Sequence, residues 1–284
     1  MISIIISTQN LFLLENLKAN IDETIGVKYE IIAIKNHGTM SIGKAYNLGA
    51  DNAKFDYLVF CHEDIHFHTE NWGYKLIDYL NQSSISLVGI LGNTIKTKYP
   101  AGVYSDIQQT NRINQLQRLP YHNKVHYYTN PYNERISQVA TLDGMFLSTH
   151  KKKWMEKKFD TDVLIGFHGY DIDFSLSMGQ LGKVVVVYDI LIEHFSFGGN
   201  TTNWVDNQIS IVNKWKNNLP ISSIEVNKKE LKKKEIEDLK QLILTLMKLR
   251  YKPFNLLRSA IIFYIKSPFS RFNLVIIKHF FIRK

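Results

Sequence analysis

Hydrophobic positions in the first ninety residues fall into two alternating patterns. Short apolar runs at Ile2–Ser7, Tyr29–Ile34, Tyr57–Phe60 and Ser86–Leu91 predict buried strands. Between them, Leu11–Ile21, the stretch from the capping residue Ser41 through Ala53, and Glu70–Asn81 behind Thr69 show helical spacing. This rhythm predicts an α/β fold, with a mostly parallel central sheet flanked by helices and ligands gathered at the C-terminal ends of strands.

From Gly92 to Ser137 the periodicity gives way to a polar, Asn/Gln/Tyr-rich segment containing Pro100, Pro120 and Pro131, the pattern of a functional loop or an inserted hairpin. Order returns at Gln138–Ser148 and in a helix around Lys152–Lys157. Asp171–Leu181 has helical spacing, Gly182 ends it, and Val184–Tyr188 is a strand leading toward His194. Beyond it, Asn227–Arg250 predicts a long helix with Leu239, Leu242, Ile243 and Leu246 on one side and lysines on the other. Residues 254–284 interleave apolar and basic positions, broken at Pro268. The expected organisation is therefore a body, 1–227, and a basic amphipathic helical tail, 228–284.

Composition refines this picture through the distribution of charge. The net charge of +9 is confined to the tail: residues 1–227 hold 20 Lys/Arg against 22 Asp/Glu, whereas 228–284 hold 15 against 4. A near-neutral body argues against a nucleic-acid partner. Basic and aromatic residues together suit the tail to an anionic membrane surface, the alternative being packing on the body or on a second copy as a homo-oligomer. The N-terminus reads as a first strand, no window predicts a membrane-spanning helix, and one cysteine, Cys61, forms neither a disulfide framework nor a thiolate zinc site. These features predict a cytoplasmic protein, peripheral on the inner face of the cell membrane if the tail binds lipid.

Four segments carry candidate chemistry. FCHEDIHFH places Glu63 and Asp64 behind a strand, where carboxylates can hold Mg²⁺ or Mn²⁺ against a phosphorylated ligand, though a polar strand end reads the same way. A metallohydrolase on His62, His66 and His68 would want an HExxH or a second histidine cluster, and neither is present. In GYDIDF, Asp171 and Asp173 begin a helix, where carboxylates stabilise the N-terminus or serve as a general base. His194 follows a strand and precedes a glycine pair, a place for a structural residue or a ligand. SIGKAYNLG lacks the P-loop arrangement, yet a helix N-terminus near Lys44 can meet a diphosphate.

Taken in order over about residues 2–200, these segments resemble the inverting GT-A glycosyltransferases of the family 2 type. ISIIIST resembles the first nucleotide-binding strand, and SIGKAYNLGADNAKFDYLVFCHED the Ala-x-Asn-x-Gly helix, strand and DxD-type metal motif. LDGMFLSTHKKKW resembles the acceptor-side strand, and GYDIDFSLSMGQLGKVVVVYDILIEHFSFGG the acidic helix, strand and terminal histidine. The resemblance implies that Asp64 holds Mn²⁺ or Mg²⁺ with His194 as a further ligand, and that Asp171 is the base. It puts Ser7, Thr8 and Asn36 at the nucleotide, Lys44, Asn47, His62 and Glu63 near the donor, and Asp143, Gly144 and Tyr170 on the acceptor side. The reaction implied moves a sugar from a nucleotide-diphosphate sugar, a UDP-sugar, to a hydroxyl of a glycan or lipid-linked acceptor in surface polysaccharide synthesis. Two departures stand out: the DxD reads His62-Glu63-Asp64, and the loop Lys35-Asn36-His37-Gly38 lacks the acidic residue often found there. A non-catalytic nucleotide-sugar-binding module fits the first departure. A metal-dependent nucleotidyltransferase would want a glycine-rich cationic loop after the first strand, and STQNLFLLEN has neither feature.

Overall fold

The alternation of the N-terminal half is realised as β1 (Ile2–Thr8), α1 (Leu11–Thr24), β2 (Tyr29–Lys35), α2 (Ile42–Asp51), β3 (Tyr57–His62), β4 (Ile65–Phe67) and α3 (Trp72–Leu80). The computed structural model describes residues 1–119, 123–164, 166–196 and 198–281; Pro120, Phe197 of the segment after His194, and tail residues 282–284 lie outside them. Asn10 caps α1 by accepting from the N–H groups of Phe12 and Leu13, and Ser41 caps α2 through the N–H of Lys44. Thr69 does not cap α3. Its hydroxyl accepts from Leu191 N at 2.8 Å, and Asn71, at φ 56°, precedes the helix.

After β5 (Ile85–Gly89), β6 (Leu91–Asn93) and β7 (Ile95–Lys96), the polar segment resolves into a hairpin, β8 (Asn111–Arg118) and β9 (Lys124–Thr129). Next come β10 (Ile136–Gln138), β11 (Thr141–Leu142), β12 (Phe146–His150), α4 (Lys151–Glu156), α5 (Tyr170–Met178), β13 (Lys183–Val187) and β14 (Ile192–His194). The chain continues with α6 (Thr202–Lys214), β15 (Ile221–Ser222), α7 (Lys228–Lys248), α8 (Pro253–Lys266) and α9 (Phe272–Phe281).

The main sheet has the order β10-β13-β5-β12-β3-β1-β2. β1 is parallel to β2 and β3, and β13 to β5, while β12 lies antiparallel between β3 and β5, so the sheet is mixed. Alternation along β1 and β3 sends Ile4, Ile6, Val59 and Cys61 into the layer with Trp72, and Ile5, Leu58 and Phe60 into the layer with Tyr46 and Phe174. Gly49 lets α2 lie on β1, because a Cβ there would overlap the Ile5 side chain. A second sheet, β11-β6-β8-β14-β4 with β9 on β8, stands beside the first. Because β3 belongs to one sheet and β4 to the other, Glu63 and Asp64 sit where the chain changes sheets.

The tail packs as well as extends. Leu239, Ile243 and Leu246 of α7 share a core with Val205 of α6 and Phe263 of α8. Thr97 donates to Asp238 at 2.6 Å, and Lys234 pairs with the same buried carboxylate. Among the described residues no helix is long and apolar enough to cross a membrane.

Candidate active site

The change of sheets after His62 brings three motif residues together. β14 pairs antiparallel with β4 so that His194 faces Ile65, and Phe195 N donates to Asp64 O at 3.0 Å. This places His194 Nε2 at 3.5 Å and His62 Nδ1 at 3.8 Å from Asp64 Oδ1. One ligand atom from each of His62, Asp64 and His194 lies within 4.8 Å of the others. Burial alone would raise the Asp64 carboxyl, but the hydrogen bond and charge of His194, with His62 and Ser196, hold it well below the usual carboxylate range. Burial likewise disfavours a charge on His194, yet its hydrogen bond to Asp64 outweighs that and raises the imidazolium. His62, where desolvation dominates, is pushed toward the neutral form.

The second nitrogen of His62 is fixed from behind. His62 Nε2 lies 2.8 Å from the Tyr170 hydroxyl, which lies 3.2 Å from the Gly144 carbonyl. A carbonyl only accepts, so when the tyrosine donates to Gly144, His62 Nε2 is the donor and its Nδ1 lone pair faces Asp64, the tautomer that a metal ion held there would require. Gly144 is required here, since a Cβ would overlap the Tyr170 hydroxyl.

Asp171 follows Tyr170 at the start of α5 and is only partly buried. Burial first, then the charge of Asp143, raises its carboxyl to about 7, against the opposing backbone N–H groups of Ile172, Asp171 and Gly144. Asp143 is itself held by its main chain, with N donating to Leu91 O at 2.9 Å and Oδ1 accepting from Met145 N at 3.0 Å. His62, Asp143, Gly144, Tyr170, Asp171 and His194 all line one pocket of about 560 Å³. Asp173, two residues on, is different: it is 1% exposed and accepts from Trp215 Nε1 at 2.7 Å and Lys214 Nζ at 2.8 Å, a structural carboxylate.

The other predicted residues form a second group. Glu63 turns away from Asp64 and accepts from the Thr8 hydroxyl and from the N–H groups of Gln9 and Asn10 at 3.1–3.2 Å, holding the β1–α1 turn. Asn36 is buried, donating to Ser7 Oγ at 3.3 Å and to Met40 O at 3.0 Å, so Ser7, Thr8, Asn36 and Glu63 form one hydrogen-bonded strand-end cluster. On α2, Lys44 is exposed, while Asn47 donates to Phe159 O at 2.9 Å and accepts from Trp154 Nε1 at 3.2 Å. Neither Lys44 nor Asn47 is among the described residues lining the pocket. His66 lies on β4 and His68 just beyond it: His68 Nε2 meets the buried Glu193 at 2.8 Å, beside Arg118 at 2.6 Å and Lys124 at 2.8 Å. Although burial opposes it, Lys124, His68 and Arg118 hold the Glu193 carboxyl down to about 2.

Sequence reading missed the far wall of the pocket. Trp204 and Gln208 of α6 and Glu237, Gln241 and Thr245 of α7 line it. The tail thus helps to build the pocket. Nothing local marks these positions, because their role depends on where α7 docks.

A mixed α/β sheet thus carries a histidine–aspartate cluster and a carboxylate pair beside its strand ends. A family model described as "Glycosyltransferase like family" matches residues 4–232, and the chain belongs to that family. Among solved structures, GalNAc-T7 with UDP, GalNAc and Mn²⁺ superimposes with a TM-score of 0.55 at 12% identity, covering 94% of this chain and 58% of that chain. The chain therefore spans little more than half the length of that relative. S. aureus TarS 1–349 in complex with UDP-GlcNAc gives a TM-score of 0.47 at 10% identity, covering 96% of this chain and 74% of that one. At 12% identity the GalNAc-T7 likeness concerns the fold. No curated protein matches.

Proposed function

We propose that this protein is an inverting glycosyltransferase that moves a sugar from a nucleotide-diphosphate sugar, a UDP-sugar, to a hydroxyl of a glycan or lipid-linked acceptor. The observation that carries this reading is the shared pocket, lined by Asp171 and by His62 and His194 of the group that could hold a metal ion. Asp64 would hold the metal through its carboxylate, with His62 and His194 adding imidazole nitrogens. One oxygen and two nitrogens fit Mn²⁺ better than Mg²⁺, which favours an all-oxygen shell. When bound, such an ion supplies positive charge to a departing diphosphate.

The chain's own residues account for the remaining steps. Asp171, raised by burial and by Asp143, is a carboxylate strong enough as a base to take the proton of an acceptor hydroxyl near neutral pH. The acceptor oxygen then bonds to the anomeric carbon as the bond to the diphosphate breaks, and the electron pair leaves with the diphosphate. Tyr170 keeps His62 in one tautomer throughout, and Glu63 keeps the β1–α1 turn closed beside the strand ends. Asp171→Asn should abolish transfer while leaving UDP binding in place; near-wild-type turnover would remove Asp171 from the role. Asp64→Ala should eliminate the Mn²⁺ dependence of UDP affinity in calorimetry, and an unchanged dependence would overturn the metal site.

The tail supports peripheral attachment to an anionic membrane as a further part of this reading. Residues 239–284 contain no Asp or Glu and ten Lys or Arg. On α8, α9 and the turn between them, Phe254, Ile261, Ile265, Phe269 and Leu274 are exposed among these cations. Apolar side chains surrounded by basic ones suit the headgroup region of an anionic bilayer, where a lipid-linked acceptor would be found.

A further inference from the structure

The β8–β9 hairpin borders a second hollow of about 410 Å³, and Tyr104, Asp143, His194 and Ser196 line both it and the first pocket. The two hollows are therefore one continuous surface. Alternation along β8 puts Ile113, Gln115 and Gln117 on this side. The register sets Gln115 against Tyr127 of β9 and Gln117 against His194 of β14. Buried sheet faces usually carry aliphatic side chains, so two successive amides here call for a physical reason.

Their hydrogen bonds run in one direction. Gln117 Nε2 donates to the carbonyls of His194 at 3.1 Å and Ser196 at 2.8 Å, and Gln115 Nε2 donates to Gln117 Oε1 at 2.9 Å. The series ends at Gln115 Oε1, which is buried and, among the described residues, has no donor. Gln115 is 3% exposed, and an amide oxygen so placed without a partner is costly. Beside it Tyr104 and Tyr127 keep 48% and 40% of their surface exposed. A fixed acceptor in a hollow that two tyrosines also line matches a pyranose, which offers hydroxyl donors at its edge and C–H groups on its face.

We propose that this hollow is a saccharide subsite for the acceptor, in which a ring hydroxyl donates to Gln115 Oε1 and the sugar face rests on Tyr127. Its assignment to the acceptor rests on the transferase reading; the sugar recognition itself does not. The subsite makes the acceptor a glycan with at least one sugar unit beyond the attacking one.

The test is saturation-transfer NMR on the full chain with the methyl glycosides of glucose, galactose and N-acetylglucosamine. Wild type should transfer saturation to the ring protons of at least one of them. Gln115→Leu should weaken that binding about tenfold, and Tyr127→Ala should weaken it too. Melting curves identify any variant that fails to fold, and the exposed Tyr127 carries the test if Gln115→Leu does. Absence of sugar signal in wild type, or signal unaffected in both Gln115→Leu and Tyr127→Ala, overturns the subsite. Calorimetry of UDP with Mn²⁺ on wild type separates the two readings. Sugar signal without UDP binding leaves the subsite and removes the donor reading, whereas UDP binding without Gln115-dependent sugar signal does the reverse.

Discussion

The Tyr170 hydroxyl stands 2.8 Å from His62 Nε2 and thereby sets which nitrogen of His62 faces Asp64. With the tyrosine's one proton on Gly144 O, the imidazole proton sits on Nε2, on the far side of the ring from the carboxylate.

Tyr170→Phe removes that constraint and lets the His62 proton move to Nδ1. Because residues that orient ligands tune affinity without touching the ion, Mn²⁺ affinity should fall about 10–100-fold. Titration of Mn²⁺ followed by electron paramagnetic resonance measures this, and an affinity within twofold of wild type would show that Tyr170 does not orient the ligand.

The raised carboxyl of Asp171 makes two linked pH predictions. Transfer should rise with pH through about 7 as Asp171 loses its proton. For stability, the folded value lies above the ordinary 3.8, so the folded state keeps a proton the unfolded chain releases. The stability from this group is fully present below about pH 4 and is lost as pH rises through about 7. Asp171→Asn should therefore stabilise the protein at pH 8, by on the order of 2 kcal/mol, and much less at pH 4. Denaturation curves at the two pH values check the difference, which must not have the opposite sign.

Asp173 should behave in the opposite way from its neighbour. Asp173→Ala leaves the buried Trp215 indole N–H without its acceptor and Lys214 with Asp160 alone, a loss of about 2 kcal/mol. Chemical denaturation measures it. A shift below about 1 kcal/mol would mean that water replaces the carboxylate.

Ile265 and Phe269 are 72% and 99% exposed, so replacing both by Asp should leave the fold intact while placing charge on the apolar side of the tail. Flotation with vesicles containing anionic lipid should then show at least about tenfold weaker binding than wild type. Equal flotation of the two proteins would rule this surface out as the lipid contact.

Some of this was legible along the chain. The runs at Ile2, Tyr29 and Tyr57 became strands because short apolar segments are covered by pairing and packing, whereas the run Ser86–Leu91 was divided between β5 and β6 of two sheets. Ser41 capped α2 because a cap is a local matter between neighbouring residues; Asn10 and Asn227 do the same for α1 and α7 without having been singled out. Thr69 had the same local pattern but was taken by Leu191, more than a hundred residues away. His66 and His68 looked like partners of His62 until the break at Glu63-Asp64 put them on a strand of another sheet, with Asn20 and Glu193 as neighbours.

The sequence by itself therefore determined the alternation of strands and helices, the Ser41 cap and the motif order, since these depend on side-chain periodicity and near-neighbour hydrogen bonds. Tertiary structure alone decided that Glu63 turns from Asp64 toward Thr8, that Asp171 and Asp173 diverge into a pocket carboxylate and a structural one, and that α7 closes the pocket. Adjacent side chains on a strand or helix point in different directions, and what each one meets is fixed by how distant elements pack.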